Sequence, residues 1–325
     1  MTSPVAPTVS VVVPCHNAAP FLPETLAAIL VQSWRDLEVL VVDDGSTDES
    51  ASVVAAVADQ RIRLLRQPAS GGPSRPRNLA IGEARGRHIF FCDADDVMRV
   101  GKIEKQVQLL DSRPEVGLVF TDFEVIDASG RVLEPSFLAG YETLHRIVAA
   151  GSGPGGGFLP ELMVSGLLRA NFIGTSSVAV RRSVLDEVGL FDESLASSED
   201  LDLWLRIARR YACAYLDILG HSYRRHPSSL MQVLSARHPL ARIEVLQRQL
   251  ALSRGRSDRR IISHWLSRNY STLGYISERE GQVVAAQHYY LESLRARVNL
   301  MAFYGLLKTQ TLGRLRGGTR LSSGV

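Results

Sequence analysis

Two runs of acidic residues stand out by position: Asp43 with Asp44, and Asp93 with Asp95 and Asp96. Each follows directly on a short apolar run, LEVLVV at 37–42 and HIFFC at 88–92. Carboxylates gathered in one place repel one another unless a cation or a proton intervenes. Hard divalent ions such as Mg²⁺ or Mn²⁺ take oxygen ligands, and they bind through one or two carboxylates plus substrate phosphates. Asp93 and Asp95 flank Ala94, and on an extended or turning backbone residues two apart point the same way while the middle one points elsewhere. One such cluster alone is more simply a helix N-cap and turn. Two of them, ending two strands of one sheet, point to a partial metal and phosphate site.

Strands must end where these acids begin. VSVVV at 9–13, ended by Pro14, and LEVLVV at 37–42 are apolar, β-branched runs that predict buried parallel strands. Between them Leu22, Leu26, Ile29 and Leu30 fall at helical spacing within 20–31, giving a strand, helix, strand unit of the α/β type. A second helix is expected over 46–59, with Ser46 or Thr47 as N-cap and Glu49 in its first turn. The pattern predicts further strands at 61–65, 88–92, 116–125 and 176–180, and helices at 78–84, 182–188 and 199–211. In an open α/β sheet ligands bind outside the carboxyl ends of the strands, so the acids converge on the expected cleft. The pattern weakens over 136–172, and GSGPGGG at 151–157 predicts a mobile loop, since glycine loses most backbone entropy on ordering. After Pro227 the chain reads as helical to its end.

Composition narrows the class. At 325 residues, 45% hydrophobic and 22% charged, the chain is globular and can bury a large core. Cys15, Cys92 and Cys213 are too few for a disulfide framework and lack CxxC spacing, so a reducing compartment is the default. MTSPVAPT has neither the basic nor the apolar region of a signal peptide, and no apolar run approaches the ~20 residues that span a bilayer, so a cytoplasmic location is expected. No GxGxxG follows the first strand and no GxxxxGK[ST] occurs, which disfavours a dinucleotide-binding domain and a P-loop.

Several ordered segments resemble the family 2 glycosyltransferases of the glycosyltransferase A fold: VSVVVPCHN at 9–17, VVDDGSTD at 41–48, SRPRNLAIGEARGRHIFFCDADD at 74–96 and TSSVAVRRSVLDEVGLFDESLASSEDLDLWLRI at 175–207. The likeness covers roughly the first 230 residues. It implies a Rossmann-like mixed sheet with flanking helices. It implies a catalytic domain over 1–233, with a donor half to about 125 and an acceptor half from about 126, followed by a basic helical extension over 234–325. The resemblance makes Asp44 the acceptor of a hydrogen bond from the nucleotide base, with Pro14 and Asn17 shaping that pocket. It makes Asp95 the main metal ligand, Asp93 its companion near ribose or metal, Ala94 the spacer within the donor site, and Asp200 the general base. Arg77, in the Arg77–Asn78 pair, is a phosphate or base contact, a surface arginine or an ion-pair partner of a cleft acid. His226, in YRRHPSS at 223–229, resembles a segment closing over the diphosphate and could join the metal. His16 lies in the first strand-end turn, and Trp204, among leucines at helical spacing, reads as core.

The implied reaction is transfer of a sugar from a nucleotide-diphosphate sugar, UDP-linked, to an acceptor hydroxyl with inversion. It serves cell-surface polysaccharide or glycoconjugate synthesis, with Mn²⁺ or Mg²⁺ as cofactor. The acceptor is a glycan, a lipid-linked molecule or a small molecule. The helix after Asp200 reads LDLWLRI and lacks the QxxRW of processive members, which favours transfer of one sugar or a few. Two rivals stay open. A nucleotidyltransferase that makes sugar nucleotides would need a Gly-rich N-terminal loop that is missing, and a non-catalytic nucleotide-sugar-binding module would not need these acids.

The net charge of +3 hides an asymmetry: residues 234–325 carry 15 basic and 5 acidic residues (+10), leaving 22 and 29 (−7) for 1–233. Leu273, Gly274, Gly281, Ala286 and Tyr290 are spaced like a single tetratricopeptide-type hairpin, read as a helical cap or a partner surface. From 293 on there are six basic residues and no acid, interleaved with Leu300, Met301, Phe303, Tyr304, Leu306 and Leu307, a candidate segment for anionic lipid headgroups or else a solvated basic tail. No nucleic-acid partner is expected, because the basic residues are spread without a reader motif.

Overall fold

The computed structural model describes residues 6–151, 157–227 and 236–318. Two compact units are present: Met1–Ser194 with Glu199–Gln232, and Leu195–Ser198 with Val233–Val325. The first unit opens with β1 (Val9–Cys15), α1 (Leu22–Leu30), β2 (Leu37–Asp44), α2 (Ser50–Ala55), β3 (Ile62–Gln67), α3 (Ser74–Glu83) and β4 (His88–Phe91). It continues with β5 (Val97–Met98), α4 (Lys102–Ser112), β6 (Val116–Ile126), β7 (Val132–Glu134), α5 (Glu142–Gly151), β8 (Gly157–Phe158) and α6 (Pro160–Arg169). It closes with β9 (Ala179–Arg181), α7 (Arg182–Val188), α8 (Glu199–Ala208) and β10 (Ala212–Arg224).

Among the described residues ten strands form one sheet, in the order β3-β2-β1-β4-β9-β6-β10-β5, with β7 on β6 and β8 on β10. β1 runs parallel to β2 and β4, β2 to β3, and β10 to β6, whereas β9 lies antiparallel between β4 and β6. The sheet is therefore mixed, and β1, β2 and β4 of its parallel half are buried on both faces, as crossover helices require, while β3 at the edge is half-buried. Alternation divides the core between those faces. Val9, Val11, Val13 and Phe90 join Leu22, Leu26 and Ile29 of α1 and Ile103, Val107 and Leu110 of α4. The next residue along β4, Phe91, packs instead near Phe191 and near Trp204 of α8. Each such aliphatic or aromatic side chain, fully removed from water, contributes roughly 1.5–3 kcal/mol.

Four expectations need correction. β1 runs through Pro14 to Cys15 and β2 through Asp43 and Asp44, which pair with Arg66 and Gln67 of β3, so neither strand stops at the residue expected to end it. The helix over 46–59 shrinks to α2, with Glu49 rather than Ser46 or Thr47 at its N-cap. The amides that would have opened it are engaged elsewhere: Ser46 N donates to Asp43 Oδ1, and Thr47 N and Asp48 N donate to Asn17 Oδ1. The strand over 176–180 begins as a 3₁₀ turn, Thr175–Ser177, because Ser177 donates both N and Oγ back to Gly174 O; only Ala179–Arg181 pairs in the sheet. The weakly patterned stretch 136–172 holds α5 and α6; α6 starts on Pro160 and buries Met163, Val164, Leu167 and Leu168. Residues 152–156 of the expected mobile loop lie outside the described residues.

β10 carries irregular register against β6 between Leu216 and His221. Gly220 lets the strands close there, since a Cβ on it would fall 2.0 Å from Thr121 Oγ1. The second unit contains α9 (Arg237–Leu252), α10 (Arg256–Arg279), α11 (Val283–Ala296) and α12 (Leu300–Gly318). α10 and α11 form the hairpin that the spacing suggested, turning at Gly281 with φ +75°. A polar knot of Ser267, Ser271, Ser293 and Asn299 ties α10, α11 and the start of α12, and Asn299 Oδ1 caps that helix by accepting from Ala302 N at 2.8 Å. Among the described residues no helix is long and apolar enough to cross a membrane.

Candidate functional site

The loop from Cys92 to Asp96 joins β4 to β5 at the carboxyl end of the sheet. Its backbone is held from several directions. Asp93 N donates to Ser176 Oγ (3.0 Å), Ala94 O accepts from Thr25 Oγ1 (3.0 Å), and Asp95 O accepts from Arg224 Nε (3.0 Å). With the main chain occupied, the Asp93 and Asp95 side chains remain 33% and 27% exposed. Asp95 Oδ2 lies 2.8 Å from His226 Nε2. Burial, then the neighbouring charge of Asp93, raises the Asp95 pKa against the opposing hydrogen bond of His226. Asp96 faces inward: 1% exposed, it accepts from Arg224 N, and burial followed by the charges of Asp95 and Asp93 pushes its pKa well up.

Asp93 is tied to the second half of this unit through one guanidinium. Arg77, 3% exposed on α3, donates Nη2 to Asp93 Oδ1 (2.8 Å) and Nη1 to Glu199 Oε1 (3.0 Å), over the Phe191 ring at 5.2 Å. Of its three readings, the fold contains the ion pair with a cleft acid, and burial rules out a surface arginine. Asn78, next on α3, clamps the Phe191 segment by donating to Phe191 O and accepting from Phe191 N. Glu199 opens α8, and burial, then Asp200, raises its pKa despite Arg77. Asp200 follows it; its Oδ1 accepts from Leu201 N (2.7 Å) and its Oδ2 from Asn171 Nδ2 (2.9 Å). Arg77 thus spans the acid of the β4–β5 loop and the acidic first turn of α8.

At the other strand ends, Asp44 is 4% exposed and its carboxylate is already occupied. Oδ1 accepts from Gln67 Nε2 (2.6 Å) and both oxygens from Ser70, so a nucleotide base meeting this carboxylate competes with the Ser70 turn. Asn17, at φ +51°, pins the turn after β1 to the loop after β2 through its Oδ1, and His16 Nδ1 lies 2.9 Å from Asp44 O. Pro14 sits in β1 opposite Val42. Trp204 is fully buried, as a core residue should be.

Glu199, Arg224 and Ser176 hold central positions and escaped the sequence reading. Arg224, 2% exposed, donates Nε to Asp95 O, its backbone N to Asp96 Oδ1 and Nη2 to Glu24 Oε2 (2.7 Å), and lies over Phe21 at 5.3 Å. It orders the loop that carries Asp95, while His226, two residues on, faces the Asp95 side chain and packs against the same Phe21 ring (4.7 Å). Only the adjacency of Arg224 to His226 in YRRH could have hinted at this, and Arg225 shares that adjacency. Ser176 was equally hidden, since a serine hydroxyl in a turn carries no signal of the amide it accepts from.

Among the described residues no group of three or more His, Cys, Asp or Glu side chains is disposed to hold a metal ion. The donors present do suit a partial site: a carboxylate and an imidazole 2.8 Å apart, with a second carboxylate two residues away whose Oδ1 Arg77 engages. A hard cation that takes most of its ligands from phosphate and water needs no more protein donors than that.

A family model described as glycosyl transferase family 2 matches residues 10–188. The succinoglycan biosynthesis protein ExoO of Rhizobium meliloti is 30% identical over 236 residues, which cover 71% of this chain and 65% of that protein. An uncharacterized glycosyltransferase of Rickettsia felis is 29% identical over 212 residues, covering 64% of this chain and 31% of the relative. The chain thus spans between about a third and two thirds of the length of these curated relatives. Among solved structures, S. aureus TarS 1-349 in complex with UDP superposes with a TM-score of 0.64 at 18% identity, covering 95% of this chain and 91% of that one. The mannosyltransferase PcManGT from Pyrobaculum calidifontis, in complex with GDP-Man and Mn²⁺, gives 0.58 at 18% identity, covering 95% and 81%. At that identity the structural likeness is one of fold.

Proposed function

The chain belongs to glycosyltransferase family 2 and has the glycosyltransferase A fold, and on that premise we propose that it moves one sugar, or a few, from a UDP-linked donor to an acceptor hydroxyl with inversion. The observation that carries this reading is the arrangement around Arg77, which joins Asp93 beside Asp95 to Glu199 beside Asp200. Both acidic groups lie in one compact unit, which supports reading Asp93 and Asp95 as facing the diphosphate and Asp200 as serving the acceptor. We take residues 1–233 as the catalytic domain, with Asp44, Asn17 and Pro14 at the nucleotide end.

Inversion needs attack on one face of the anomeric carbon and departure of the diphosphate from the other. Asp200 takes the proton of the acceptor hydroxyl as its oxygen bonds to the anomeric carbon, and the bond from that carbon to the diphosphate oxygen breaks with its electron pair leaving on the phosphate. Asn171 and the Leu201 amide hold the Asp200 carboxylate in a fixed orientation, each bonding one oxygen and leaving a lone pair for the hydroxyl. A divalent cation, Mn²⁺ or Mg²⁺, held by Asp95 with His226 and Asp93 beside it, would supply Lewis-acid stabilisation of the diphosphate. No enzyme-bound sugar is required. Neighbouring structures that contain UDP, UDP-GlcNAc, or GDP-Man with Mn²⁺ support a sugar-nucleotide donor and a divalent ion. The succinoglycan biosynthesis relative supports a role in polysaccharide synthesis, with a glycan as acceptor.

Asp200→Asn tests the assignment, because it keeps the shape of the side chain and removes its basicity. Transfer of labelled sugar should fall by roughly 10²–10⁴-fold in kcat while the donor KM and the circular dichroism spectrum stay as in wild type. Wild-type turnover by the purified variant would remove Asp200 from the role of base.

A further inference from the structure

Over residues 300–310, helix α12 carries its small residues inward and its large apolar ones outward. Ala302, Gly305 and Thr309 are buried, and Leu306 packs partly against Tyr290 and Ala286. The inner face has to be small because the Tyr290 ring lies against it: a Cβ on Gly305 would fall 2.3 Å from that ring, and one on Gly274 of α10 would fall 2.6 Å from it. Leu300, Phe303, Tyr304 and Leu307 are instead 86%, 53%, 71% and 49% exposed. Their i, i+3, i+4, i+7 spacing places them on one face of the helix, flanked by exposed Val298 and Met301. A contiguous apolar face of this kind is unfavourable in water and marks a contact surface.

Charge decides what the contact is. From residue 293 to the end there are six basic residues and no acid. Arg295 pairs with Glu292 and Lys308 with Glu278, which offsets two of the six and leaves a net charge of +4. A second copy on this face would bring two such segments together against their mutual repulsion, whereas a surface of anionic headgroups attracts them. We propose that the outer face of α12 lies in the interface of a membrane bearing anionic lipids. Leu300, Phe303, Tyr304 and Leu307 enter the boundary between headgroups and acyl chains, and the net positive charge of the segment draws it to the anionic surface. This contact is separate from the transfer reaction, and its failure leaves the Asp200 test untouched.

The experiment is flotation of the full chain with vesicles of phosphatidylcholine alone and of phosphatidylcholine mixed with phosphatidylglycerol. The protein should float with the mixed vesicles, be released by high salt, and stay behind with phosphatidylcholine alone. The pair Phe303→Ser and Leu307→Ser, both exposed, should leave the melting temperature unchanged and lower partitioning by roughly tenfold or more. No binding to the mixed vesicles, or binding that the pair leaves intact, overturns the proposal. So does a concentration-dependent dimer that the same pair abolishes, since the occupant is then a second copy.

Discussion

Removing Arg77 is the most informative perturbation of this site. Its side chain is 4% exposed and neutralises Glu199, 11% exposed, and Asp93, 33% exposed. Arg77→Met keeps an unbranched stem over the Phe191 ring but strands two carboxylates. Breaking a buried pair by deleting one partner costs about 3–5 kcal/mol. The Asp93 share is largely screened by solvent, so the lower end, ~3 kcal/mol, is expected, nearly all of it from Glu199. At about 2–4 °C per kcal/mol for a unit of this size, the melting temperature should drop by roughly 6–12 °C. Glu199→Gln in the same chain removes the stranded charge, and the double variant should recover about 1–2 kcal/mol relative to additivity. The pH dependence has a definite sign. Burial and Asp200 already raise the Glu199 pKa above its usual 4.5, and without Arg77 it rises further. A raised carboxyl pKa means stability present at low pH and lost as pH climbs through the folded value, so the deficit of Arg77→Met should shrink on acidification. Urea melts of the four proteins at several pH values measure all of this. A single-variant loss under about 1 kcal/mol, or a double variant equal to the sum of the singles, would falsify the account of Arg77 as the shared countercharge.

Gly305→Ala sets a methyl group 2.3 Å from the Tyr290 ring, and overpacking of about 1–3 kcal/mol outweighs the gain in helix propensity of ~1 kcal/mol; a thermal melt no lower than wild type would contradict it. Glu38 is 2% exposed, and although burial raises its pKa, hydrogen bonds from Arg85, Ser10 and Arg63 hold it below the usual 4.5. It therefore adds stability above that pH which is lost as pH falls through the folded value, and Glu38→Gln should cost roughly 2–3 kcal/mol at neutral pH and flatten the acid limb of the stability curve in urea titrations. Asp95→Ala should abolish the Mn²⁺-dependent part of thermal stabilisation by UDP-GlcNAc, which in wild type at a hundredfold the Kd amounts to about 2.7 kcal/mol; an unchanged shift in the variant would place the cation elsewhere.

Legibility along this chain followed the range of the interaction. β1, β2 and β4 are readable because a buried parallel strand is a short apolar run, and the acids at 43–44 and 93–96 are readable because they interrupt such a run, although β2 itself continues through Asp43 and Asp44. β10 is not: its bulges between Leu216 and His221 break the period of two, and its partner β6 lies about a hundred residues away. The extent of α2 depended on Asn17, some 30 residues upstream, which takes the amides of Thr47 and Asp48 before a helix can use them. In the site, residue type and resemblance singled out Asp95, His226 and Asp200, but Arg224 and Glu199 look like any basic or acidic neighbour until their partners are known.

The amino-acid sequence by itself determined the strand, helix, strand opening, the acids at the strand ends, the helical second unit and the family. Each of these is written in local periodicity, in the hydrogen-bonding habits of single residues, or in motifs that keep their order. Only the tertiary structure decided that Arg77 bridges Asp93, 16 residues on, to Glu199, 122 residues on, that Ser70 occupies Asp44, and that Arg224 secures the Asp95 loop while anchoring on Glu24. It also decided that Phe303 and Tyr304 of α12 face outward while Gly305, where a Cβ would meet the Tyr290 ring, faces inward. The reason is physical: a buried charge or ring takes the partner that the packed fold brings within about 3–5 Å, and that proximity is set by how the elements pack rather than by spacing along the chain.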